Sequence, residues 1–224
     1  LHFHLTEYWF DQFTNGDITK IQGKNEQNPS AVYFFATCVV DQFFPGAGLD
    51  AITLLEREGI RVHFPEEQTC CGRPAYTSGF PDEARKVAAH QLTLFPENWP
   101  VVVPSGSCAG MMKHHYPTLF AADPVRKAQA EALSARIYEF TDFLVNVLGY
   151  QPDDKGSDCT VVLHTSCSAR REMGVHLTGR QLLGGMKGVK VAQQDHESEC
   201  CGFGGTFSIK QPEISGAMVE DKVK

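Results

Sequence analysis

The chain has 224 residues, 42% of them hydrophobic and 21% charged, so it can bury a substantial core and is not built for wholesale disorder. A formal net charge of −7 leaves no basic face to neutralise phosphates, which argues against a nucleic-acid partner. No run approaches the roughly 18 apolar residues of an integral membrane span, and the opening LHFHLTEYWF lacks the leader of a secretory signal, so a cytoplasmic, reducing setting is expected.

Residues 1–30 mix aromatics with acids and end in the polar stretch TKIQGKNEQNPS, which reads as an N-terminal arm or linker. His2 and His4 suit one edge strand as well as they suit a metal. From residue 31 strands and helices alternate. AVYFFAT is a strand candidate bounded by polar residues. GLDAITLLEREG follows, with a helical stripe at Leu49, Ile52, Leu54 and Leu55 and a stop at Gly59. RVHFPEE is a short strand, and PDEARKVAAHQLTLF a helix with Pro81 and two acids at its start. WPVVVPSGS reads as a buried strand. AQAEALSARIYEFTDFLVNVLG reads as the longest helix, ending at Gly149. TVVLHTS and KVAQQ supply two further strands. The alternation predicts an α/β fold with a mostly parallel, doubly wound sheet.

The chain also repeats itself. AVYFFATC (Ala31–Cys38) matches TVVLHTSC (Thr160–Cys167), and RVHFPEEQTCCG (Arg61–Gly72) matches KVAQQDHESECCG (Lys190–Gly202). The first cysteine is separated from the Cys-Cys pair by 31 residues in one half and 32 in the other. Two pseudo-symmetric, Rossmann-like halves are therefore expected: 31–150 and 151–224. Cys38, Cys70, Cys71 and Cys108 each fall just beyond the carboxyl end of a predicted strand, the edge where open parallel sheets bind ligands. Cys167, Cys200 and Cys201 repeat the placement. The thiols of each half should converge.

Eight cysteines in a reducing compartment read as metal or redox chemistry before disulfides. Consecutive Cα atoms sit about 3.8 Å apart, short of the usual ~4.4–6.8 Å span of a bridge, so a Cys70–Cys71 disulfide is disfavoured. Four thiolates commonly hold an iron–sulfur cluster. Helix N-termini at the same edge would favour its negative charge, and Gly72 and Gly202 would let the backbone approach it. Zinc held by four thiolates is the rival reading, although the ligands lie adjacent or more than thirty residues apart rather than in C-x-x-C knuckles. Free thiols or thiol–disulfide chemistry also remain open.

ATC, CCGRPAYTSG and VPSGSCAGM in the first half, with HTSCSARREMG and CCGFGGTFSIKQPEIS in the second, resemble the cysteine-rich CCG-domain iron–sulfur proteins. The likeness runs from about Val32 onward and is strongest to the iron–sulfur A subunits of bacterial L-lactate utilisation systems. Glycolate oxidase and heterodisulfide reductase iron–sulfur subunits are more distant. The resemblance implies an oxidoreductase subunit without a catalytic residue of its own. It would relay electrons from L-lactate oxidation to pyruvate beside other subunits of a lactate-oxidising complex, with one 4Fe–4S cluster per repeat. Cys38, Cys70, Cys71 and Cys108 would hold the first cluster; Cys167, Cys200 and Cys201 would hold the second. Two departures stand out. Cys108-Ala-Gly-Met111 lacks the second cysteine of the C-x-x-C element that supports a non-cubane cluster in heterodisulfide reductase relatives, which favours an ordinary 4Fe–4S cluster. Adding the 130-residue offset to Cys108 puts a matching second-half ligand near position 238, past the last residue, so the second repeat is expected to be truncated.

The alternative is a zinc-bound or metal-free scaffold module with structural cysteines. Other side chains carry plainer expectations. Cys159 should be a buried, inert thiol at a strand start. His164 should be a hydrogen-bonded core or rim histidine on that strand. His114 and His115 should open a helix after Cys108 on a solvated or partly buried face. Arg73, Arg170 and Arg171 follow cluster cysteines and suit charge compensation or surface pairing equally. FGGTF (Phe203–Phe207) lacks the further features of a phosphate cradle.

Overall fold

The computed structural model describes residues 28–152 and 158–223; His2 and His4 lie outside them. Four parallel strands, β1 (Ala31–Phe34), β2 (Arg61–His63), β3 (Val101–Val103) and β4 (Ile137–Glu139), form a sheet in the order β2-β1-β3-β4. Val32 pairs with Val62, Phe34 with Val102, and Val102 in turn with Tyr138. β1 and β3 are buried along their whole length, as central strands covered on both faces should be. Two more parallel strands, β5 (Cys159–Val162) and β6 (Val189–Ala192), form a second sheet with Val161 opposite Val191.

Helices cover both faces of the larger sheet. α1 (Cys38–Phe43) and α2 (Pro45–Arg57) follow β1, and α2 buries Gly48, Ala51, Ile52 and Leu55. That stripe packs with Val32, Phe34, Val62 and Phe143. α3 (Arg73–Thr77) and α4 (Pro81–Gln91) follow β2, and α4 sets Ala84 and Ala88 against the opposite face. There they meet Phe35, Val101, Val103, Cys71 and Cys108. The chain leaves β1 toward β2 and then returns to the other side of β1 to lay down β3. The crevice at that reversal is the customary ligand site of such sheets.

Two predicted helices differ. The run after β3 comprises α5 (Gly106–Gly110), a π-helical turn (Met111–His115) and α6 (Tyr116–Leu119), so His114 and His115 lie inside it rather than at its start. The predicted long helix is broken: α7 (Pro124–Ser134) stops, and β4 runs beside β3 before α8 (Phe140–Asp142) and a second π-helical turn (Phe143–Val147). The Arg136 guanidinium explains the break, because it donates to the carbonyls of Phe95, Glu97 and Trp99 and fixes the chain beside the entry to β3. Sheet pairing with Ile137 and Glu139 buried then outweighs helix propensity.

In the second half α9 (Cys167–Met173) and α10 (Val175–Gly184) follow β5, while α11 (Phe207–Lys210) and α12 (Pro212–Val223) follow β6. No helix among the described residues is long and apolar enough to cross a membrane.

Candidate metal centre

Each cysteine of the first half sits one short loop beyond its strand. Thr37, at a φ of 66°, is the one described non-glycine residue with a left-handed backbone, and its side chain accepts from Val40 N at 3.4 Å. This strained, fully buried cap makes Cys38 the first residue of α1. The loop before Cys70 is pinned by Gln68, whose amide is buried. Its oxygen accepts from Ala36 N at 2.8 Å, and its nitrogen donates to Phe34 O at 3.2 Å and Pro65 O at 2.9 Å. Gln91 reaches from α4 to Thr69 Oγ1 at 2.7 Å, and the buried Tyr116 hydroxyl donates to Cys71 O at 2.9 Å. Gly72 turns the chain at a φ of 84°, close under Ala84 of α4.

These supports bring the four sulfurs of the first half together. Cys38 Sγ lies 4.0 Å from Cys70 Sγ, and Cys71 and Cys108 are near enough to share protons and charge with Cys70 and with each other. Cys38 and Cys71 donate, so their thiols are pushed up; burial adds to both. Cys70 is pulled well below the ordinary thiol range by the thiols of Cys38 and Cys71 and, against burial, by the Gly72 and Cys71 backbone N–H groups. The Cys71 thiol also lowers Cys108, against burial, with help from the Ser105 and Ser107 hydroxyls. Two of the four, Cys70 and Cys108, are thus favoured as thiolates, and binding a cation or cluster would draw the remaining protons from Cys38 and Cys71.

Spacing describes how far the thiols close on one another. A single tetrahedral zinc with bonds of about 2.3 Å would draw all four sulfurs to about 3.8 Å from one another. Among the described residues the side chains that bring three ligand atoms within 4.8 Å are His196, Glu199 and Asp221; no three thiols do. The four thiols converge without closing on a single point, and four thiolates are the common donor set of an iron–sulfur cluster.

The second half repeats the skeleton. Ser166 accepts from Ala169 N at 3.3 Å and starts α9 at Cys167, and Gly202 turns the chain at a φ of 78°. Burial, then the charge and hydrogen bond of nearby Cys200, push the Cys167 thiol up. Cys167, Cys200 and Cys201 are all partly buried. The loop before Cys200 is pinned by charge: Lys222 Nζ donates to His196 O at 2.7 Å, Glu197 O at 3.2 Å and Glu199 O at 2.9 Å. Glu197 pairs with Arg170 at 2.9 Å and Arg180 at 2.8 Å.

The chain matches the cysteine-rich domain model in two blocks, residues 32–113 and 161–224, one for each half. It is 46% identical to "Lactate utilization protein A 1" of Bacillus mycoides over 86% of this chain and 79% of the relative. It is 45% identical to "Lactate utilization protein A" of Shouchella clausii and 43% identical to that of Bacillus subtilis, over 86% of this chain and 80% and 81% of those relatives. The chain belongs to the cysteine-rich CCG family, in its Lactate utilization protein A branch.

Several expectations for this CCG protein need revision. Cys159 does open β5, but it is exposed rather than buried. His164 lies past the end of β5 and is exposed. Arg73 and Arg170 make specific, partly buried ion pairs, with Glu172 and Glu197 respectively. Gln68, Gln91, Tyr116 and Lys222 carry no sequence signal of their roles, because each acts on backbone or hydroxyl groups brought near only by folding.

Proposed function

We propose that this CCG protein is the iron–sulfur electron-transfer subunit of a complex that oxidises a 2-hydroxy acid, L-lactate, to pyruvate in the cytoplasm. The convergence of four thiols from three separate segments beyond the carboxyl ends of the parallel strands carries the reading. Residues 31–150 and 151–224 then act as two repeats. Cys38, Cys70, Cys71 and Cys108 hold one 4Fe–4S cluster, and Cys167, Cys200 and Cys201 hold the other. A bound cluster supplies a one-electron redox centre. The chain's own residues orient and shield it: Gln68 and Tyr116 fix the Cys-Cys loop, buried Cys71 and Cys108 exclude water, and the Ser105 and Ser107 hydroxyls help lower the Cys108 thiol. The relatives' names supply the link to lactate and to other lactate utilization proteins as partners.

Anaerobic purification tests the proposal. The protein should be brown, contain iron and acid-labile sulfide, and give an EPR signal on reduction. Lactate should elicit that signal once the copurifying subunits are present. Cys71→Ser should abolish iron at the first site while leaving the sheet folded. Stoichiometric zinc without iron would sink the reading, and full iron in Cys71→Ser would sink the ligand assignment.

A further inference from the structure

Arg73 occupies an unusual junction. It follows Cys70, Cys71 and Gly72 directly and opens α3, so the left-handed turn at Gly72 sets where its side chain points. The guanidinium grips Glu172 of α9 with both arms, at 2.7 and 2.6 Å. One arm also donates to Ser168 Oγ at 2.5 Å, and the other reaches Ser107 O at 3.4 Å. Ser168 follows Cys167 in the chain and Ser107 precedes Cys108. A single planar group thus ties together the peptide segments that carry Cys71, Cys108 and Cys167. The pair is largely shielded, with side-chain exposures of 18% and 23%. Burial pushes the Glu172 carboxyl up, but Arg73 outweighs it and holds the group below the ordinary carboxylate range.

The contact around this pair is stiff. α5, the helix bearing Cys108, presents Gly106 and Gly110 to α9, the helix that begins at Cys167. A Cβ at Gly106 would lie 2.5 Å from that of Ala169, and one at Gly110 would collide with the Glu172 carboxylate. His114 and His115 also contact Glu172, through its backbone oxygen at 3.0 Å and its carboxylate at 3.5 Å. Two helices packed without spare space transmit displacement instead of absorbing it.

We propose that Arg73 is a positioning residue that couples the two cysteine sites, so that filling the first raises the second site's affinity for its metal, and conversely. Linkage requires the effect to be reciprocal. The proposal takes from the iron–sulfur reading only the identity of what fills the sites.

The test uses the full chain with Cys201→Ser, which disables the second site, and reads iodoacetamide alkylation of each cysteine by mass spectrometry, with exposed Cys159 as the internal control. Loading the first site with ferrous iron and sulfide should slow alkylation of Cys167 by roughly five-fold or more. Adding Arg73→Gln or Glu172→Gln should remove that protection, and Arg73→Lys should restore part of it, because lysine keeps the charge but not the fork. Protection that persists in both Gln variants, or its absence with Arg73 intact, overturns the coupling. If the chain takes up no iron and sulfide, the iron–sulfur reading fails on its own. Cadmium then replaces iron as the filler, and the same two results decide the coupling.

Discussion

Thr37 caps the helix that begins at Cys38, and Ser166 caps the one that begins at Cys167. Gly72 turns beneath Ala84 of α4, and Gly202 turns beneath Ser215 of α12, each in left-handed backbone. The two halves therefore share a skeleton, but they hold it by different chemistry. In the first, neutral amides fully out of water pin the cysteine loop. In the second, Lys222, Glu197 and two arginines do so. The cores differ as well. β1 and β3 lie in a dense hydrophobic interior, whereas among the described residues after 152 the one buried hydrophobic residue is Ala169. A two-stranded sheet with so little burial is marginal alone, so the second half leans on the first through Gly106, Gly110 and Arg73.

Breaking one pin in each half should expose that difference most strongly. Gln68→Leu strands Ala36 N and Phe34 O without their partner in a dry interior, while Pro65 O keeps the backbone N–H of residue 68. At about 1–3 kcal/mol for each orphaned group, a loss of roughly 2–4 kcal/mol is expected even with partial relaxation. Lys222→Met also orphans two carbonyls, Glu197 O and Glu199 O, but the loop they belong to includes exposed residues such as Ser198 and Glu199, and water can reach it. A loss of about 1–2 kcal/mol is expected there. Urea denaturation of the metal-free protein measures both; equal losses would erase the distinction.

The paired glycines sharpen the comparison at smaller scale. Alanine at either position adopts a left-handed backbone at a cost of about 1–2 kcal/mol. At Gly72 the new Cβ would meet Ala84 O at an ordinary 3.4 Å, whereas at Gly202 it would meet Ser215 O at 2.7 Å. Gly202→Ala should therefore cost about 1 kcal/mol more than Gly72→Ala. The same denaturation series checks the order, and a costlier Gly72→Ala would mean that α12 yields where α4 does not.

Much of this was legible in the chain. Thiols just beyond strands, the Cys-Cys-Gly steps at matched intervals and the alternation of strand and helix all follow from local pattern. What escaped depends on groups distant in sequence. β4 hid within a helical stripe until Arg136 anchored it to the carbonyls before β3. Arg73 and Glu172 stand 99 positions apart, so no window of sequence joins them. Cys159 has the composition of a buried strand start, and only the thinness of the second sheet leaves it exposed.

Acid should separate the halves last and most gently. Hydrogen bonding from Arg170, and then the charge and hydrogen bonding of Arg180, hold the Glu197 carboxyl below its ordinary 4.5 despite burial. Glu172 is likewise held down, against its burial, by Arg73. A carboxyl with a depressed folded-state pKa contributes its full stability above the unfolded value and loses it as pH falls through the folded one. Both ion pairs should therefore weaken progressively below about pH 4.5, by on the order of 1 kcal/mol each, the scale of partly exposed pairs. Gln68 and Gln91 do not titrate, so the first loop keeps its pins through the same range. Hydrogen exchange on the metal-free protein, corrected for intrinsic rates, should show residues 189–201 losing protection below that pH while residues 61–71 keep theirs. Parallel loss in both loops would mean that the halves open as one unit, with the joint at Arg73 stronger than either loop.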